Sequence, residues 1–142
     1  MRYDAILLDA DDTIFDFPAA EVAALLDVMA HLSIEGEEPV ADFRRINAAC
    51  WRDFEKGLIT QPQLRIQRFA QWLPLVGSGA DPIEVGERYV DALARQGALL
   101  PGALSAVRAI AAARPIAIVT NGIGKVQRGR IARSPIAPLI GA

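Results

Sequence analysis

The chain has 142 residues, 52% of them hydrophobic, a formal net charge of -2 and one cysteine, Cys50. That is enough apolar material for one ordinary domain with a core, and too little net charge to draw the chain toward nucleic acid or an anionic membrane. A lone cysteine excludes an intramolecular disulfide, no run approaches the roughly 18 apolar residues of a membrane span, and Asp4 and Asp9 interrupt what would have to be the apolar part of a signal peptide, so a cytoplasmic protein without nucleic-acid or membrane partners is expected.

Taken in order, the apolar run Ala5-Ile6-Leu7-Leu8 reads as a short strand buried on both faces of a parallel sheet. It ends in Asp9-Ala10-Asp11-Asp12-Thr13, and the C-terminal ends of strands in an open α/β sheet are where ligands bind. Thr13 to Phe17 alternates like an extended or hairpin-like piece, a candidate flap beside the site. A first helix is expected from about Pro18 to Leu32, with Val22, Leu25, Leu26, Met29 and Leu32 on its apolar stripe and the only histidine, His31, solvated near its end. A second helix opens at Pro39 and runs to about Lys56 before Gly57. Thr60-Gln61-Pro62-Gln63 has the form of a capping box and starts a third helix, which Pro74 breaks. Asp81-Pro82-Ile83-Glu84 opens a fourth, to about Gln96. Four helices in succession without a strand would bury their stripes against one another as a small bundle.

After Pro101-Gly102 comes a short helix from Ala103 to Ala112, then a second apolar run, Ile116-Ala117-Ile118-Val119, then Thr120-Asn121-Gly122 and a helix from Gly124 to Arg133. Strand, polar turn, helix repeats the organisation of the start. Two such strands joined through helices should be parallel neighbours with a right-handed connection, which sets Thr120 beside Asp9. Gly122-Ile123-Gly124-Lys125 falls short of a dinucleotide fingerprint, because Gln127 stands where the last glycine belongs. Arg128, Arg130 and Arg133 read as a solvated helix face.

Two carboxylates two positions apart on the loop leaving a strand can divide the labour of phosphoryl transfer. Asp9 would attack phosphorus to give an aspartyl-phosphate, while Asp11 would give a proton to the leaving alkoxide and later take one from water. A phosphate dianion approaching an aspartate needs a cation, and Mg²⁺ suits oxygen ligands of this kind. Thr120, with the backbone N–H groups of Asn121 and Gly122, would hold the phosphoryl oxygens.

With these residues the chain resembles the haloacid dehalogenase superfamily, in its phosphatase branch with a helical cap. Asp9-Ala10-Asp11-Asp12-Thr13 matches the family's first motif and Thr120-Asn121-Gly122 its second. Asp11 points to phosphate chemistry, since the true dehalogenases lack that carboxylate. Within the branch, Asp9 to Phe15, Trp51-Arg52-Asp53-Phe54, Gly57 to Thr60, Leu100 to Ala103, and Val126-Gln127 with Arg130 look like pyrimidine 5′-nucleotidases.

The resemblance implies an α/β fold: a partial Rossmann-like core of residues 1–16 and 98–142, with parallel strands near 4–9 and 116–120, and an inserted four-helix cap of residues 17–97. It implies Asp9 and Asp11 as catalytic residues, Thr120 and Asn121 as the phosphate site, and Mg²⁺ held by Asp9 and the Asp11 backbone carbonyl. The implied activity is Mg²⁺-dependent hydrolysis of a small phosphomonoester, a nucleoside 5′-monophosphate, with phosphoglycolate or a sugar phosphate as the alternative substrate. Phe17, Trp51 and Trp72 are candidates for stacking on a base, with a core role favoured for each. Family members carry a later lysine and a later acidic motif beyond the point where this sequence stops, and Lys125 lies too close to Thr120 to be that lysine. A truncated member is therefore expected, its exposed strand edges inviting self-association; an inactive remnant that binds phosphate or a partner chain is the alternative to an enzyme.

Overall fold

In a computed structural model that describes residues 3–141, strands β1 (Ile6–Leu8) and β2 (Ile116–Ile118) pair in parallel, with Ile6 opposite Ile116 and Leu8 opposite Ile118. Between them lie helices α1 (Phe17–His31), α2 (Glu38–Glu55), α3 (Gln61–Leu75), α4 (Pro82–Ala94) and α5 (Ala103–Ala111); α6 (Gly124–Ala132) and a 3₁₀ turn at Ala137–Leu139 follow β2. The fold is the expected α/β arrangement. The chain divides into two units: a split one, up to Glu21 and again from Leu93, and a continuous helical one, Val22–Ala92. Both boundaries fall inside helices, α1 and α4.

The split unit is built on the strand pair. Val119 N–H donates to the Leu8 carbonyl at 2.9 Å, carrying the ladder one residue past β2 and bringing the two polar turns out at the same end. Its core gathers Ala10, Ile14 and Phe15 from the first turn, Ala103 and Val107 from α5, Ile116 from β2 and Ile136. The strands are not buried on both faces as their uninterrupted apolar sequence suggested. Leu7 is 68% exposed and Val119 57%, because the side chains alternate across a strand and this core collects on one side only.

The segment expected as an extended or hairpin-like flap folds back on itself as a tight turn, the hairpin-like of the two forms. Ile14 and Phe15 both donate their N–H groups to the Ala10 carbonyl, and Asp12 sits at φ 58°, a left-handed conformation that aspartate tolerates better than most residues. The fold-back buries Phe15 completely. It also places Asp16 to start α1, where its carboxylate accepts from Ala19 N–H at 3.1 Å and satisfies one of the helix's free donors.

In the helical unit, α3 starts as its sequence demands: Gln63 N–H donates to Thr60 Oγ1 and Thr60 N–H to Gln63 Oε1, the reciprocal pair of a capping box. Pro74 lies within the last turn of α3 rather than beyond it, and the helix ends one residue later. Helix α2 packs on α3, and Phe43, Phe69, Trp72 and Tyr89 form a cluster with ring centroids 5.1–6.1 Å apart. Trp72 is fully buried and donates its indole N–H to the Pro39 carbonyl at 2.8 Å, so it is core and no surface for a base. Trp51 is half-buried, edge-on to Phe54. On α1 the expected stripe is shifted: Leu25 and Met29 are buried together with Ala24 and Val28, while Leu26 is 50% exposed. His31 is exposed in the last turn of α1, as read from the sequence.

Candidate functional site

Parallel register decides what meets at the end of the sheet. With Leu8 opposite Ile118, the residues that leave the two strands emerge side by side, and Leu7, Leu8, Asp9, Val119, Thr120 and Asn121 line one open cleft of about 450 Å³. Asp9 and Asn121 are exposed and Thr120 is half-buried. Three of the four candidate site residues therefore share this cleft. Asp11, the fourth, meets Thr120 through a different side chain.

That side chain is Gln127, one turn into α6. Its Nε2 donates to Asp11 Oδ2 at 2.7 Å and to Thr120 Oγ1 at 3.2 Å. Gly122 N–H also donates to Thr120 Oγ1, at 3.1 Å. A hydroxyl has two acceptor lone pairs and one proton to give. Both lone pairs on Thr120 are thus in use, and its O–H is left as a donor.

The other oxygen of Asp11 belongs to Arg130. Read from sequence as part of a solvated face with Arg128 and Arg133, Arg130 is instead fully buried and ion-paired through Nη1 with Asp11 Oδ1. Its Nε donates to the Gln96 carbonyl at 2.9 Å, and its guanidinium lies 4.4 Å from the centroid of the Phe15 ring, close enough for a cation–π contact. The solvated reading failed because α6 turns Val126, Gln127 and Arg130 inward while Lys125, Arg128 and Arg133 are not buried. The signal was present: Gln127 and Arg130 are three apart and so on one helix face, directly after the Thr-Asn-Gly turn.

Among the described residues no group of three or more His, Cys, Asp and Glu is arranged to hold a metal ion. The Asp9 carboxylate is exposed in the cleft, while the Asp11 carboxylate is committed to α6. One free carboxylate fits Mg²⁺, which is usually held by one or two carboxylates and completes its shell with water and substrate phosphate. No helix among the described residues is long and apolar enough to cross a membrane.

No family model matches the chain. It is 31% identical to pyrimidine 5′-nucleotidase YjjG of Escherichia coli (strain K12) over 134 residues, 94% of this chain and 58% of that protein. It is 34% identical to pyrimidine 5′-nucleotidase PynA of Streptococcus pneumoniae (strain ATCC BAA-255 / R6) over 146 aligned positions, 97% of this chain and 59% of the relative. Among solved structures, the magnesium-bound YfnB protein of Bacillus subtilis matches with a TM-score of 0.90 at 32% identity, covering 99% of this chain and 62% of that one. L-2-haloacid dehalogenase from Xanthobacter autotrophicus shares the fold at a TM-score of 0.69 and 20% identity, over 98% of this chain and 55% of its own. The chain thus spans somewhat under two thirds of the length of the relatives it matches.

Proposed function

We propose, for a chain whose sequence and fold are those of the haloacid dehalogenase-like hydrolases, that it carries the nucleophile and phosphate-holding residues of a phosphomonoesterase acting on pyrimidine nucleoside 5′-monophosphates. The observation that carries the reading is the Gln127 amide, which bonds both Asp11 and Thr120 and so ties the turn after β1 to the turn after β2. A solvated acidic turn would have no reason to share a buried amide with the opposite strand's hydroxyl. The names of the E. coli and S. pneumoniae relatives support the substrate class.

In this reading the phosphate sits in the cleft between Asp9 and Asn121. The Thr120 O–H, its lone pairs already engaged, donates to a phosphoryl oxygen. Asp9 forms an Oδ–P bond as the bond from phosphorus to the nucleoside oxygen breaks, and Asp11, which as the acid carries a proton in place of the charge it pairs with Arg130, gives that proton to the oxygen. Water then attacks phosphorus, the Asp9–phosphorus bond breaks, and Asp11 takes the water's proton. Bound Mg²⁺ would lower the repulsion between the phosphate and Asp9.

Phosphate release from uridine and cytidine 5′-monophosphate, with Mg²⁺ and with EDTA, tests this. Turnover by the wild-type chain that needs Mg²⁺ and disappears in Asp9→Asn is the expected result. Turnover retained in Asp9→Asn would remove the covalent mechanism, and preference for a sugar phosphate over both nucleotides would remove the substrate.

A further inference from the structure

We infer that Arg130 and Gln127 are positioning residues, a buried pair on α6 that fixes the orientation of the Asp11 carboxylate and ties it to the Thr120 hydroxyl that lines the cleft. The inference rests on the proposed phosphatase reading and adds two residues that carry none of its chemical steps.

The geometry is that of a fixture. Arg130 holds Asp11 Oδ1 and Gln127 Nε2 holds Asp11 Oδ2 at 2.7 Å, so both oxygens are engaged by donors from one helix face and the plane of the carboxylate is set. Arg130 is itself held, by the Gln96 carbonyl at 2.9 Å and by the Phe15 ring at 4.4 Å, and is 0% exposed. Gln127 is 4% exposed, and the same Nε2 that grips Asp11 reaches Thr120 Oγ1. One amide therefore sets the acid and the phosphate-holding hydroxyl together.

Stability alone does not account for these residues. Arg130 Nη2 and Gln127 Oε1 are buried without a hydrogen-bond partner among the described residues. An apolar pair would fill the same space without desolvating a charge or stranding polar atoms. A fixed cation behind Asp11 also has a use in the reaction: each time the proton leaves, the guanidinium faces the carboxylate charge that remains.

Leaving-group dependence separates positioning from a merely structural role. A nucleoside alkoxide needs its proton as the ester bond breaks, whereas p-nitrophenolate departs without one. The value of kcat/KM, which reports formation of the phospho-enzyme, is measured for uridine 5′-monophosphate and for p-nitrophenyl phosphate in the wild type, Arg130→Met, Arg130→Lys and Gln127→Met. Arg130→Met is expected to lower kcat/KM about 100-fold on the nucleotide and less than about 10-fold on p-nitrophenyl phosphate, with Arg130→Lys recovering part of the loss. Gln127→Met, which also releases Thr120, is expected to lower kcat/KM on both esters. Equal losses on the two esters in Arg130→Met overturn the inference and leave the phosphatase reading standing. No turnover of either ester by the wild type overturns both. If Arg130→Met does not fold, the same ratio is read from Arg130→Lys.

Discussion

Arg130 and Asp11 meet across 119 positions of sequence and share the burial unevenly, the guanidinium side chain being 0% exposed and the carboxylate side chain 28%. The two halves of the pair are therefore not equivalent to lose. Asp11→Ala leaves a buried cation without its carboxylate and should cost about 3–5 kcal/mol. Arg130→Met leaves a carboxylate that water can reach and should cost less, about 1–3 kcal/mol. Urea unfolding of both variants checks the order; Arg130→Met proving the more destabilising would show that stacking on Phe15, not the ion pair, dominates.

Gly122 offers a way to disturb the site without removing any of its side chains. A Cβ there would come within 2.4 Å of Gln127 Nε2 and 3.2 Å of Thr120 Oγ1. Pushing the buried Gln127 amide off Asp11 and Thr120 breaks two hydrogen bonds, so Gly122→Ala should also cost about 1–3 kcal/mol of stability. On the proposed phosphatase reading, displacing the amide by a fraction of an ångström or more should lower nucleotide hydrolysis about 10- to 100-fold. Steady-state kinetics beside a urea midpoint separates the two effects, and unchanged kinetics would argue that Gln127 does not act on the site.

Gly129, within α6, should respond through packing alone. Alanine in place of a helical glycine ordinarily gains about 1 kcal/mol. Here the added Cβ would lie 2.8 Å from the Ala94 carbonyl oxygen and 2.9 Å from the Ala94 Cβ. A main-chain carbonyl cannot step aside as a glutamine tip can, and overpacking of this kind costs about 1–3 kcal/mol. Gly129→Ala should thus be destabilising by about 1 kcal/mol, read from the shift in urea midpoint.

Burial pushes the Cys50 thiol above its ordinary value of 9.0, with Asp53 adding to the effect and Arg68 opposing it. Below pH 9 both the folded and the unfolded thiol are protonated, and the group's contribution is complete. As pH rises past 9 the unfolded thiol ionises while the folded one resists, so the contribution is lost progressively until the folded thiol also ionises. Stability measured between pH 8 and 10.5 should therefore fall less in Cys50→Ala than in the wild type. Alkylation of native Cys50 at pH 8 should also be slow, since the thiol is 2% exposed and the thiolate is the reactive form.

Local chemistry was legible in the sequence, and contacts across the chain were legible only where topology forced them. The capping box at Thr60 and Gln63 needs four consecutive residues and stands as read. The approach of Thr120 to the acidic turn follows from parallel pairing of two strands, and their shared cleft with Asp9 agrees with it. The inward turn of Arg130 was hidden because an arginine reads as solvated unless its partner is known, and that partner lies at the other end of the sequence. On α1, Leu26 looked like core and Val28 did not, because a helix rich in apolar residues offers several overlapping stripes; the packed neighbours choose among them. Leu7 and Val119 looked doubly buried because an apolar run records what a strand can bury, not what covers it.

The helical unit is one unbroken run of chain, Val22–Ala92, whereas the sheet joins Ile6 to Ile116. On the ribosome, every helix partner in that run is available before β2 has been made. At about 5–20 residues per second, β1 waits roughly 5–20 s for its only partner strand among the described residues. Throughout that interval the backbone N–H and C=O groups of β1 lack their ladder partner, whereas each helix closes its own hydrogen bonds as it emerges.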